Sequence, residues 1–270
     1  KVILEATSKT DIPIDLGIWI SGDHKENHLE IQRALKLLEK YPDNIANVIV
    51  GNETLLRADL EEEELFAYID FVAEFTNKPI TCAETWDVWE RIPDLAKHVD
   101  FITIHILPYW EKVPIDRFND FIIEKYTLVE KLFPYTKINI GETGWPSHGY
   151  NNNNAVPSLK NQAVAIRGFI NLASEKGWDY NIVEAFDQQW KGYDEGNVGQ
   201  YWGIFTSDRE LKFYLSGDIE LNQYWLYQML AAIIIGAFLT LFGLRNQKMN
   251  INHALAYAVT AQGMAFGIVM

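Results

Sequence analysis

Apolar and polar residues fall in blocks along this chain. Short apolar runs rich in β-branched residues recur at "IPIDLGIWI" (12–20), "NIANVIVG" (44–51), "KPITCAE" (78–84), "DFITIHI" (100–106), "KINIGE" (137–142) and "YNIVEAF" (180–186). Near-continuous hydrophobicity over so few residues predicts parallel strands covered on both faces. Amphipathic stretches of helical period separate them, over 28–41, 60–76, 116–133 and 157–177. Asp59 with Glu62 reads as a capping box for the second of these. The acidic run Glu61 to Glu64 suits a first helical turn, where the macrodipole favours negative charge. Alternation of this kind predicts an α/β fold.

Polar residues gather where the apolar runs end: Trp19, Glu53, Glu84, His105, Glu142 and Asp187. A β/α barrel builds its active site on that rim. A doubly wound sheet also places ligands there, but convergence of six different strands favours the barrel. A closed barrel needs eight strands and only six are legible. The first nine residues, "KVILEATSK", read as the tail of a helix. The expectation for 1–222 is therefore a (β/α)8 TIM barrel lacking its first two βα units, in a segment cut from a longer protein.

The pattern changes after residue 222. "YWLYQMLAAIIIGAFLTLFGL" (224–244) is almost wholly apolar and long enough to span a bilayer, with Tyr224, Trp225 and Tyr227 at one end as interface anchors. "RNQKMN" (245–250) carries Arg245 and Lys248 and no acid, and a second apolar run occupies 253–270. Residues 223–270 are expected to form two transmembrane helices with a short cytoplasmic loop at 245–250. The positive-inside rule then places the barrel on the periplasmic or extracellular side of a multi-pass cell-membrane protein in contact with lipid. A buried helix pair is the alternative.

Composition narrows the function. The chain has 270 residues, 48% of them hydrophobic, enough for one full-sized core. A net charge of −14 excludes nucleic acid as a partner, since phosphate binding needs a basic surface. The one cysteine, Cys82, forms no internal disulfide. Aromatic residues make up 13% of the chain, nine of them tryptophan, and many lie beside polar residues as in a carbohydrate cleft. Core packing competes with that reading.

Two of the strand ends share a form. "NVIVGNETLLR" (47–57) and "KINIGETGWPS" (137–147) each run from an apolar stretch through a glycine to a glutamate, Glu53 and Glu142. Two facing carboxylates perform glycoside chemistry, one as general acid and then base, the other as nucleophile; a separation of about 5–5.5 Å gives retention and a wider one inversion. Asn52, beside Glu53, could donate to a sugar 2-hydroxyl. Two unrelated strand-end glutamates remain the alternative on pattern alone. Trp86, Tyr109, Trp110, Trp145, Trp190 and Trp202, at or just beyond strand ends, are candidate sugar platforms. His105 is a candidate ligand to the substrate or the nucleophile. "HKENH" (24–28) spaces two histidines four apart, but Lys25 stands where a zincin helix needs glutamate. No metal or cofactor is expected.

"VGNE" (50–53) and "GETGWPS" (141–147) resemble the two signatures of glycoside hydrolase family 17, the β-1,3-glucanases and related glucanosyltransferases. The match extends to "HILPYW" (105–110) and "FDQQWK…EGNVGQYWGIF" (186–205), covering most of 12–206 in the family's order. The resemblance implies a (β/α)8 barrel and a retaining mechanism on β-1,3-glucan, with Glu53 as acid/base and Glu142 as nucleophile. It implies that Lys191 and Glu195 hold those carboxylates in a polar network at the cleft floor. Gln188 departs from it, standing where the family usually carries a glutamate. With its apolar tail the chain looks most like a bacterial branch in which the barrel is fused through membrane helices to a β-glucan-making glycosyltransferase. A glucan-binding module without turnover and an enzyme on another β-glycan are the competing functions.

Overall fold

The computed structural model describes residues 2–10, 12–218, 224–245 and 250–269. The chain divides into two compact units, Lys1–Gly217 and Asp218–Met270. In the first, a short helix α1 (Val2–Thr7) precedes β1 (Ile14–Ile18), α2 (His24–Lys40), β2 (Ile45–Asn52), α3 (Glu62–Ala73) and β3 (Ile80–Thr85). Then come α4 (Trp86–Arg91), β4 (Ile102–His105), α5 (Phe118–Leu132), β5 (Ile138–Thr143), α6 (Leu159–Lys176) and β6 (Asp179–Ile182). All six apolar runs are strands and all four amphipathic stretches are helices. The strands pair in sequence order, every neighbour parallel.

Among the described residues β1 and β6 do not pair with each other, so the sheet is a curled half-barrel with two edges. Alternate strand residues meet the helices or the concave face. Val48, Val50, Ile104 and Ile140 are fully buried, each contributing about 1.5–3 kcal/mol of burial. On the concave face Thr81 Oγ1 donates to Thr103 Oγ1 at 3.0 Å. A Cβ on Gly141 would stand 2.4 Å from Thr103 Cγ2 and 3.0 Å from the His105 ring. Only glycine leaves room there for the imidazole.

Two local expectations shift. The capping box at α3 is formed by Glu61 and Glu64, not Asp59 and Glu62. Glu64 Oε2 accepts from Glu61 N at 3.1 Å, while Asp59 instead binds Arg57 Nε at 2.9 Å. The sixth strand stops at Ile182; the rest of its apolar run leaves the sheet, and Phe186 bridges Phe205 in parallel.

The second unit contains α7 (Trp225–Leu244) and α8 (Ile251–Val269). They pack through small residues: Ala232 and Gly236 of α7 and Ala261 and Ala265 of α8 are buried, and Gln262 Nε2 donates to Ala232 O at 3.0 Å. Close approach of backbones through small residues with a polar side chain between them is the packing mode of helices in lipid. Yet among the described residues only α7 is long and apolar enough to cross a bilayer, with mean hydropathy 2.0 and 11% of that stretch buried. The expected pair of spans is corrected to one, because Asn252, His253, Thr260 and Gln262 dilute α8. The expected domain boundary at 222 and residues 246–249 of the expected 245–250 loop lie outside the described residues.

Candidate active site

β2 ends on Asn52, and the next residue, Glu53, takes a left-handed backbone, φ +55°. That conformation costs a non-glycine residue of order 1–3 kcal/mol and persists only where its surroundings impose it. Here they do: Glu53 N donates to Ala83 O at 2.8 Å, and Glu53 O accepts from Arg57 N at 2.9 Å. Gly51, φ +83°, makes the preceding turn, and a Cβ there would meet Thr54 Oγ1 at 2.8 Å. The kink lifts Glu53 off the strand and into a cleft of about 440 Å³.

Glu142, in β5, enters the same cleft and lies opposite His105 in the β4–β5 register. His105 joins the two glutamates. Its Nδ1 is 2.9 Å from Glu53 Oε1 and its Nε2 is 4.0 Å from Glu142 Oε1. The His105 side chain is 1% exposed, those of Glu53 and Glu142 24% and 32%. Burial alone would lower the imidazole's pKa, but its hydrogen bond to Glu53 and the charges of Glu142, Glu53 and Glu84 outweigh it and hold the pKa above the ordinary 6.5. Burial pushes the Glu142 carboxyl up from 4.5; His105 and Lys191 oppose that, and Glu53 and Glu184 add to it. The open mouth of the cleft accounts for the third of Glu142 that water still reaches.

Lys191 Nζ pairs with Glu184 Oε2 at 2.9 Å. The Gln188 amide donates to the same oxygen, and Gln188 Oε1 accepts from Trp190 Nε1 at 2.8 Å. Glu184 thus supplies a negative charge next to the position where Gln188 has none. Glu195 lines the cleft with Lys191, its pKa raised first by burial.

Of the residues given a catalytic or substrate-binding role from the sequence, Glu53, Trp86, His105, Trp110, Glu142, Lys191, Glu195 and Trp202 line this one cleft. Trp110 and Trp202 stack at 5.9 Å between ring centroids to form one wall, and Trp86 Nε1 donates to Glu111 Oε1 at 3.3 Å on another. The remaining five stand apart from the lining. Tyr109 and Trp145 are fully buried, with the Tyr109 hydroxyl on Tyr150 O at 2.7 Å and Trp145 Nε1 on Val156 O at 3.1 Å. They brace the wall from behind, Tyr109 edge-on to Trp202 at 5.8 Å, so they are not sugar platforms. Asn52 is half-buried at the end of β2, Gln188 lies behind Lys191, and Trp190 is 59% exposed outside the cleft.

Sequence reasoning left several carboxylates without a role, Asp87 of the cleft lining among them. Glu111 lines the cleft directly after Trp110. Glu84 lies fully buried at the end of β3, noticed as a strand end but not assigned. Glu184 was hidden inside an apolar run; a lone acid four residues before Gln188 was the available signal. Among the described residues no cluster of His, Cys, Asp and Glu could hold a metal ion. His24 Nδ1 sits on the Tyr68 hydroxyl at 2.9 Å instead.

The glucan 1,3-beta-glucosidase of Saccharomyces cerevisiae is 27% identical over 232 residues, 76% of this chain and 72% of its own. The glucan 1,3-beta-glucosidase of Schizosaccharomyces pombe is 29% identical over 216 residues, 74% of this chain and 67% of its own. The glycoside hydrolase family 17 beta-1,3-glucanosyltransferase from Rhizomucor miehei superposes with a TM-score of 0.70 at 29% identity over 78% of each chain. An active-site mutant of the Rhizomucor miehei enzyme, in complex with laminaritriose, matches equally well, TM-score 0.70 at 28% identity. The family model described as the BtgE/BtgC glycoside hydrolase domain matches residues 1–203, so the chain belongs to that family, within the family 17-like group of glycoside hydrolases.

Proposed function

We propose that this chain is a retaining β-1,3-glucan-active glycosidase or transglycosylase working by a two-glutamate double displacement. The observation that carries the reading is the placing of Glu53 and Glu142 on either side of one buried imidazole, in a cleft walled by tryptophans. The relatives' names supply the substrate class. In the first step ionised Glu142 attacks the anomeric carbon while Glu53 gives its proton to the departing glycosidic oxygen. In the second, Glu53 takes a proton from the incoming hydroxyl, whose oxygen displaces Glu142. His105 and Lys191 favour the ionised form of Glu142. Trp86, Trp110 and Trp202 supply the apolar area that an uncharged sugar needs.

The acceptor is water in hydrolysis and a glucan hydroxyl in transfer. Incubation with laminari-oligosaccharides and mass analysis of the products separates the two: longer products mean transfer, shorter ones alone mean hydrolysis. Glu142→Gln should lower kcat by about 10³-fold or more. Binding without turnover in the unaltered protein would replace this reading with that of a glucan-binding module, and turnover only of another β-glycan would change the substrate.

The membrane reading is carried by α7 alone. Its apolar faces, including Ile234, Phe238, Leu241 and Phe242, are exposed, as lipid contact requires. On this reading α7 tethers the chain to the cell membrane, with the catalytic unit on the non-cytoplasmic side. Fusion to a β-glucan-making glycosyltransferase would then direct the site to newly exported polymer.

A further inference from the structure

Glu84 is fully buried yet lines no part of the cleft. Both its oxygens are engaged: Oε1 accepts from Leu55 N at 2.8 Å and Oε2 from Leu56 N at 3.3 Å. These are the second and third residues after Glu53, and they open the tight turn closed by Arg57 N on Glu53 O at 2.9 Å and Ala58 N on Leu55 O at 3.2 Å. The carboxylate caps this turn as a side chain caps a helix, by satisfying amide donors that have no partner within it.

Glu53 itself is held from the same strand. Its amide donates to Ala83 O, so the last residues of β3, one through its carbonyl and the next through its side chain, fix the left-handed Glu53 from both ends. A neutral glutamine or serine could cap a turn. A buried carboxylate is an expensive choice, since burial pushes its pKa up to about 7, against the opposing hydrogen bonds from Leu55 and Leu56. The charged groups facing it are Glu53 and His105, with the buried Cys82 thiol beside it on β3.

We propose that Glu84 is a positioning residue for the general acid/base: by holding the 53–58 turn it aims the Glu53 carboxyl at the glycosidic oxygen. This rests on the reading of Glu53 as the proton donor. It makes no contact with substrate, and its effect passes entirely through Glu53.

A defect confined to proton donation has a signature that general structural damage lacks. An oligosaccharide leaving group needs the proton, whereas dinitrophenolate departs without it. The value of kcat/KM reports the first, protonated step. Three variants, Glu84→Ala, Glu84→Gln and Glu84→Asp, are compared on laminari-oligosaccharides and on 2,4-dinitrophenyl β-laminaribioside. Glu84→Ala should lose about 10- to 100-fold in kcat/KM on the oligosaccharide and less than about threefold on the aryl glycoside. Glu84→Asp, its charge drawn back by one methylene, should show the same split, and this holds the test if the alanine variant does not fold. Glu84→Gln keeps one acceptor for Leu55 N and should lose less than either.

Glu53→Ala is the reference, and a large split is expected for it. If it shows the split while Glu84→Ala and Glu84→Asp lose equally on both substrates or lose nothing, the positioning role is overturned and Glu53 keeps its assignment. If Glu53→Ala shows no split, the assignment of Glu53 falls and the role of Glu84 with it.

Discussion

His105 sits between two carboxylates that must differ in protonation for the proposed reaction to proceed. At the residue scale this makes the pH profile the most informative measurement. Glu142 must be ionised to attack, and burial holds its pKa above 4.5. The acid limb of kcat/KM should therefore lie above pH 4.5, with activity lost as pH falls through it. Lys191 lowers that pKa and Glu184 raises it. Lys191→Met should move the limb to higher pH and Glu184→Gln to lower pH. A limb that stays in place in both variants would show that neither charge acts on Glu142. Glu84 gives a separate prediction about stability. Its folded-state pKa, about 7, lies above 4.5, so its protonated form favours folding. That contribution is fully present below pH 4.5 and is lost as pH rises through 7, up to about 3 kcal/mol. Glu84→Gln carries no such dependence, and urea denaturation between pH 5 and pH 8 should show it gaining stability on the unaltered protein as pH rises.

At the scale of elements, the motif "GETGWPS" separates into parts. Glu142 faces the cleft. Gly144 makes room for the chain after β6, since a Cβ there would lie 2.3 Å from Val183 O. Trp145 is core. Ser147 belongs to a buried clamp: Lys212 Nζ reaches Ser147 Oγ and Asp187 Oδ1, each at 2.7 Å, and Asp187 also accepts from Gly203 N at 3.0 Å. The clamp ties the segment after β6 to the loop that follows Glu142. The Lys212 and Asp187 side chains are 7% and 6% exposed, and burial lowers the Lys212 pKa against the pull of Asp187. Lys212→Met would leave Asp187 buried and unpaired, and should cost about 3–5 kcal/mol in urea or thermal denaturation. The double replacement Asp187→Asn with Lys212→Met should recover much of that loss, because no charge is then left without a partner. The "GETGWPS" signature was legible because its residues are contiguous. The clamp was not, because Lys212 lies 65 residues from Ser147 and sequence spacing does not encode that contact.

For the whole molecule, α7 carries a prediction of its own. Lysines at Ile234 and Phe238 would each add about 2.5–3.5 kcal/mol to insertion of the helix. The double variant should leave the membrane on alkaline carbonate washing while its activity on laminari-oligosaccharides persists; retention would refute the tether. The sequence by itself determined the strand–helix alternation, the parallel order and the presentation of Glu53 and Glu142 at strand ends. Those features follow from hydrophobic period and from glycine-bearing turns, which act over a few neighbouring residues. Only the tertiary structure decided that His105 bridges the two glutamates, that Glu184 supplies charge beside Gln188, and that Tyr109 and Trp145 brace the wall while Trp110 and Trp202 line it. Each of these depends on which distant side chains meet when the strands curl, and an aromatic or a carboxylate reads the same in sequence whether it faces a sugar or a neighbour.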